Sequence, residues 1–91
     1  MSFFIFNSLF RREVMKYKLL DCVVLTHDLP EFELCTGDLG TVVETYEPDG
    51  LEVEFVKASG KTLAVVTVSE KDVRPIESAD IISVRSLSRV A

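Results

Sequence analysis

Gly37-Asp38-Leu39-Gly40-Thr41-Val42-Val43 sets an acid between two glycines and runs straight into an apolar, β-branched stretch. Glycine takes positive φ in turns and admits close approach where a Cβ would block it, while β-branched residues favour extended backbone. The stretch therefore reads as a turn feeding the second strand of a small barrel, with that strand over residues 39–47. Downstream, Glu47-Pro48-Asp49-Gly50 has turn chemistry, Pro48 being preset for the first corner and Gly50 free to take positive φ. Residues 51–57 then alternate strictly. Leu51, Val53 and Phe55 point inward and Glu52 and Glu54 outward, the pattern of a half-buried strand.

Ala58-Ser59-Gly60 makes the next hairpin, and residues 61–68, KTLAVVTV, read as a fourth strand. The polar run Ser69-Glu70-Lys71-Asp72 suits one helical turn before a brief fifth strand over residues 73–76. Upstream, residues 19–26, LLDCVVLT, read as the first strand, with Leu20, Cys22 and Val24 toward the core. Val23 and Leu25 are apolar too, so this strand is either central to the fold or covered on its outer side, and the N-terminal segment is one available cover. Pro30 prevents residues 27–36 from forming one regular element, which makes them a long first loop. Five strands joined in this way predict an all-β fold, a small five-stranded SH3-like barrel whose closure would remove exposed edges.

The barrel domain should span residues 15–76, between extensions at 1–14 and 77–91 that are each a short helix or a frayed tail. Phe6, Leu9, Phe10 and Val14 share a helical face in the first, and Ile81, Val84, Leu87 and Val90 recur every three residues in the second. Met15 could serve as an alternative start. The first segment could instead be an apolar anchor.

Ninety-one residues suit one domain and a small core. Net charge is −5, and residues 15–76 carry twelve acids against six bases. Nucleic-acid binding runs on Lys and Arg neutralising phosphate, so no nucleic-acid partner is expected and a basic protein partner fits better. Cys22 and Cys35 have neither zinc spacing nor a disulfide framework, and reduced cytoplasmic thiols are the default. No cofactor is expected. The longest apolar run cannot cross a bilayer, and Arg11 and Arg12 follow it, the reverse of a secretory signal.

The densest potential ligand set is His27 with Asp28, Glu31, Glu33 and Cys35, but loop carboxylates are more often simply solvated. Cys35 and His27 could pair as nucleophile and base, though no third group or oxyanion cradle accompanies them. Asp38 could hold a cation, but an acid in such a turn more often accepts from a backbone N–H two residues on. Neither a catalytic nor a metal set is therefore assigned. The partner-binding candidates are Leu29, Pro30 and Phe32 on the first loop, Tyr46, and the acids Glu44, Glu52 and Glu54 of the hairpin. Anchors rimmed by acids are what a protein interface needs, although Phe32 could equally plug the barrel end.

Four segments, LLDCVVLTHDLPE, TGDLGTVVE, EVEFV and VRPI, taken in order and spacing, resemble the small bacterial family called domain of unknown function 4926 (DUF4926). The resemblance covers residues 18–76. It implies an SH3-like fold and a bacterial cytoplasmic protein, and it implies no activity, substrate or catalytic residue. The function expected is thus a non-enzymatic interaction module whose partner's gene could lie beside this one. An accessory subunit of a redox or metal enzyme is the alternative, and an RNA-contacting barrel a weaker one.

Overall fold

The computed structural model describes residues 16–87. Five strands form in the expected order: β1 (Cys22–Leu25), β2 (Leu39–Tyr46), β3 (Gly50–Val56), β4 (Thr62–Ser69) and β5 (Val73–Pro75). They build one antiparallel sheet in the order β4-β3-β2-β1-β5, the strand order of an SH3-like small barrel. The polar run before β5 makes a single 3-10 turn, Glu70–Asp72, closed by a capping box. In it Asp72 accepts from the Ser69 N–H, and the Ser69 hydroxyl oxygen accepts from the Lys71 N–H. Among the described residues no helix is long and apolar enough to cross a membrane.

One expectation needs correction. The hydrogen-bonded ladder does not close, because β5 is only three residues long and already spends them pairing with β1. The 3-10 turn bridges the gap, and among the described residues no strand pairs with the other edge of β4.

The core gathers the inward residues of every strand. Val23 and Leu25 come from β1, Val42 from β2, Leu51, Val53 and Phe55 from β3, Val66 and Val68 from β4, and Val73 from β5. Tyr17 joins them, fully buried, with a hydroxyl that finds no hydrogen-bond partner among the described residues. Gly40 makes the packing possible at the start of β2. A Cβ there would stand 2.5 Å from Val53 Cγ1 and 2.8 Å from Phe55 Cε1.

The facing of β1 is the reverse of the expected one. Val23 and Leu25 point inward, while Cys22 is exposed and Leu20 lies outside the strand with a positive φ of 72°. The cause is a turn at Lys18–Asp21, where Asp21 N–H donates to the Lys18 carbonyl and the Asp21 carboxylate accepts from Lys18 N–H. It delays the strand and shifts its register by one residue, which exchanges the two faces. Val24 faces outward yet is only 6% exposed, so something covers it. Gly50 also departs from expectation. It lies in β3 without positive φ, packed against Tyr46 Cβ, and the Glu47–Pro48 peptide is cis. Gly37 and Gly60 are the glycines with positive φ, at 94° and 92°.

The expected helix over residues 1–14 lies outside the described residues. The C-terminal extension is neither helical nor frayed over residues 77–87: it is an irregular strap lying back on the barrel.

Candidate functional site

The turn from the first loop into β2 positions the most elaborate polar site among the described residues. Gly37, at positive φ, lets the chain turn so that Asp38 N–H donates to the Cys35 carbonyl (3.0 Å) while the Asp38 carboxylate accepts from Cys35 N–H (2.8 Å). This differs from the expected bond to an amide two residues on, because the side chain reaches back across the turn. The same carboxylate receives a two-point fork from Arg85 of the strap. Arg85 Nε donates to Oδ1 at 2.9 Å and Nη2 to Oδ2 at 2.6 Å, and Nη2 also donates to the Glu33 carbonyl at 2.8 Å. Such planar pairs are stronger and more directional than a single contact. Burial pushes the Asp38 carboxyl up, but the Arg85 fork and the Cys35 amide outweigh it and hold the group below its ordinary range. The Arg85 guanidinium is raised in turn, chiefly by its hydrogen bonds to Asp38.

A second fork fixes the root of the strap. Arg74, on the outer face of β5, donates from Nη1 and Nη2 to the two oxygens of Asp80, both at 2.9 Å. Asp80 also accepts from Glu77 N–H at 2.7 Å, and its own N–H donates to the Glu77 carbonyl. The Asp80 carboxyl is therefore held low, first by Arg74 and then by the Glu77 amide. Between strap and barrel lies an open cleft of about 310 Å³, with Val24, Leu39 and Ile76 lining the barrel side. Among the described residues the strap is the cover seen over the outer side of β1, and the expected cover by the N-terminal segment lies outside them.

The first loop itself forms a 3-10 turn at Pro30–Phe32 with Pro30 at its start, and Leu29 and Leu34 bridge across it. Leu34, fully buried, is the residue that plugs this end, with Leu29 packed against the core. Phe32 does not plug it and remains 38% exposed. His27 Nε2–H donates to Asp72 Oδ1 (2.7 Å) and Nδ1–H to the Asp28 carbonyl (3.2 Å). With acceptors on both ring nitrogens the charged imidazolium fits, and the His27 pKa is raised, first by the Asp72 hydrogen bond and then by the Asp28 carbonyl. His27 therefore reaches Asp72 and not Cys35, which removes the geometry of the nucleophile pair. Asp28 accepts from both the N–H and hydroxyl of Thr36, and these bonds hold its carboxyl low. Among the described residues no three His, Cys, Asp or Glu side chains converge as a metal site would need.

The seven partner-binding candidates fall into two groups. Tyr46, Glu44, Glu52 and Glu54 share the outer face of β2 and β3, where Glu44 stands directly opposite Glu52. A bulge at Val43 keeps Glu44 on that face while Val42 stays inside. Glu52 accepts from the Thr67 hydroxyl and Glu54 from the Thr62 hydroxyl, each at 2.5 Å across the β3–β4 pair. Leu29, Pro30 and Phe32 belong to the loop that leads into the other end of β2, a strand that runs roughly 23 Å from Leu39 to Tyr46 at about 3.3 Å per residue, with Glu54 toward the loop end opposite Thr41. What stands beside the loop is the strap. Arg85, Arg74 and Asp80 escape a reading of the sequence, since Arg85 meets an acid 47 positions away.

No curated protein and no solved structure matches this chain. The family model described as Domain of unknown function (DUF4926) matches residues 19–75, well over half of the chain, taking in every strand and ending on the last residue of β5. The chain therefore belongs to the DUF4926 family.

Proposed function

We propose that this chain is a non-enzymatic interaction module of a bacterial cytoplasm, which uses its acidic outer face, and the first loop at the far end of β2, to bind a basic protein partner. One observation carries the reading: Glu44 and Glu52 are direct cross-strand neighbours. Like charges set opposite each other destabilise a sheet by roughly 0.2–1 kcal/mol, a cost the fold itself does not require and that a cationic partner would relieve. Glu54 on the same face and exposed Tyr46 beside Glu44 add further charge and an aromatic anchor. Two free cysteines suit a reducing compartment. His27 is committed to Asp72, which leaves Cys35 without a base.

The test is affinity capture from the native host with the tagged full chain, at low and high salt. A specific partner should be recovered and should elute as salt rises, since charge-driven association weakens with screening. Reversal of Glu44, Glu52 and Glu54 to Lys should abolish recovery. Capture that ignores the triple reversal would overturn the reading.

A further inference from the structure

The strap has two unequal parts. Its root, residues 77–80, is closed on itself and forked to Arg74. Its arm, residues 81–87, is held differently. Ile81, Ile82 and Val84 are 89%, 72% and 94% exposed, so apolar burial contributes little to holding the arm down. Arg85 supplies the charged attachment, entering a receptor already built by the barrel: a carboxylate locked in its turn by the Cys35 amide, and the Glu33 carbonyl beside it. The receptor side chain is well buried, at 17% exposure, whereas the arginine side chain that fills it is 37% exposed. Asp28, Glu31 and Glu33 on the adjoining loop make the surroundings acidic, and the nearby Arg74 is already neutralised by Asp80.

We infer that Asp38 and the Glu33 carbonyl beside the first loop form an arginine-reading site for an extended basic segment of the partner, and that Arg85 fills it in cis, with residues 81–87 as a detachable latch. This rests on the interaction-module reading and specifies how the loop half of that surface works. The occupant is identified by the receptor's chemistry. A two-oxygen carboxylate with a carbonyl alongside matches the planar, five-donor guanidinium, which lysine cannot reproduce. How an extended segment delivers its arginine is already displayed by Ile82-Ser83-Val84-Arg85, in which the guanidinium makes the fork while Ile82 and Val84 stay exposed. A latch docked with an equilibrium constant of about 10 lowers the apparent affinity of a competing segment about ten-fold, so releasing it switches the site on.

The experiment uses the full chain and a labelled, end-blocked synthetic peptide with the sequence of residues 80–87, followed by fluorescence anisotropy and by amide chemical shifts. The Arg85→Ala chain should bind the peptide saturably, with the Glu33 and Asp38 amides shifting, and about ten-fold more tightly than the wild-type chain. The same peptide carrying Arg85→Lys should bind the Arg85→Ala chain about five-fold or more weakly, because the fork is lost while the charge is kept. Adding Asp38→Asn to that chain should abolish binding. If Arg85→Ala does not fold, the Arg85→Lys chain takes its place. Equal binding of the arginine peptide and an Arg85→Ala peptide, or equal affinity of latched and unlatched chains, overturns the inference. So does a concentration-dependent dimer that Arg85→Ala dissolves, which would assign the cleft to a second copy of this chain. Reversing Glu44 and Glu52 should leave peptide affinity within about two-fold, since that pair stands five residues along β2 from Leu39, roughly 17 Å and beyond the screening length at physiological salt. Failure of partner capture and failure of peptide binding are thereby separable.

Discussion

Gly40→Ala is the sharpest test of how the barrel is packed. A Cβ at this position would lie 2.5 Å from Val53 Cγ1, 2.8 Å from Phe55 Cε1 and 3.0 Å from Phe55 Cδ1, against an ordinary carbon separation of about 3.5–4.0 Å. Neither neighbour can yield cheaply. Val53 is fully buried with a stiff branched side chain, and Phe55 is packed in the core cluster. Overpacking of a close-packed interior costs about 1–3 kcal/mol, and two contacts more than 0.5 Å too short place this case in the upper half, about 2–3 kcal/mol. For a domain of this size that is a fall in Tm of about 10–20 °C, measured by thermal denaturation followed by circular dichroism. A Phe55→Leu partner removes the clashing ring atoms, so the double variant should lose about 1 kcal/mol less than the sum of the singles. Gly37→Ala is the control. Nothing lies within 4 Å of a Cβ there, so only its φ of 94° is strained, at about 1–2 kcal/mol, and that loss should add simply to Phe55→Leu. Gly40→Ala within about 0.5 kcal/mol of wild type, or full additivity with Phe55→Leu, would refute the packing argument.

Three further outcomes follow from the same structure. Asp28, Asp38, Asp72 and Asp80 all titrate below their ordinary value of 3.8 in the folded chain, so their stabilisation is present above that value and is lost as pH falls through the folded values. His27 is raised above 6.5, so its contribution is complete below 6.5 and is lost as pH rises through its folded value. Tm against pH should therefore plateau between 3.8 and 6.5, and His27→Asn should flatten the alkaline fall; a fall that persists unchanged in that variant sinks the assignment. Tyr17→Phe removes a buried hydroxyl that has no partner among the described residues and should raise stability by about 1 kcal/mol in urea denaturation, whereas a loss would reveal a hydrogen bond. Glu44→Lys replaces a repulsive cross-strand pair with an attractive one and should add about 0.5 kcal/mol to stability while reducing recovery of the partner. Stability and recovery falling together would indicate mere damage to the fold.

The strands β2, β3 and β4 and the turns between them were legible because period-two alternation and turn-forming residues act within a few positions of one another. The acidic outer face followed from the same alternation at Glu52 and Glu54. The facing of β1 was not legible, since LLDCVVLT is apolar on both sides and a single turn at Lys18–Asp21 decides which side goes in. Local pattern also cannot show that β5 is too short to close the ladder.

Sequence alone determined that this chain makes a five-stranded, acidic β domain, because hydrophobic alternation and glycine-bearing turns are chemistry between near neighbours. Only the tertiary structure decided that Asp38 receives Arg85, that Asp80 holds Arg74, and that His27 turns to Asp72 instead of Cys35. Those pairings depend on where the tail and the last 3-10 turn lie against the barrel, and charges 45 or 47 positions apart carry no mark in the sequence of which opposite charge the fold will bring to them.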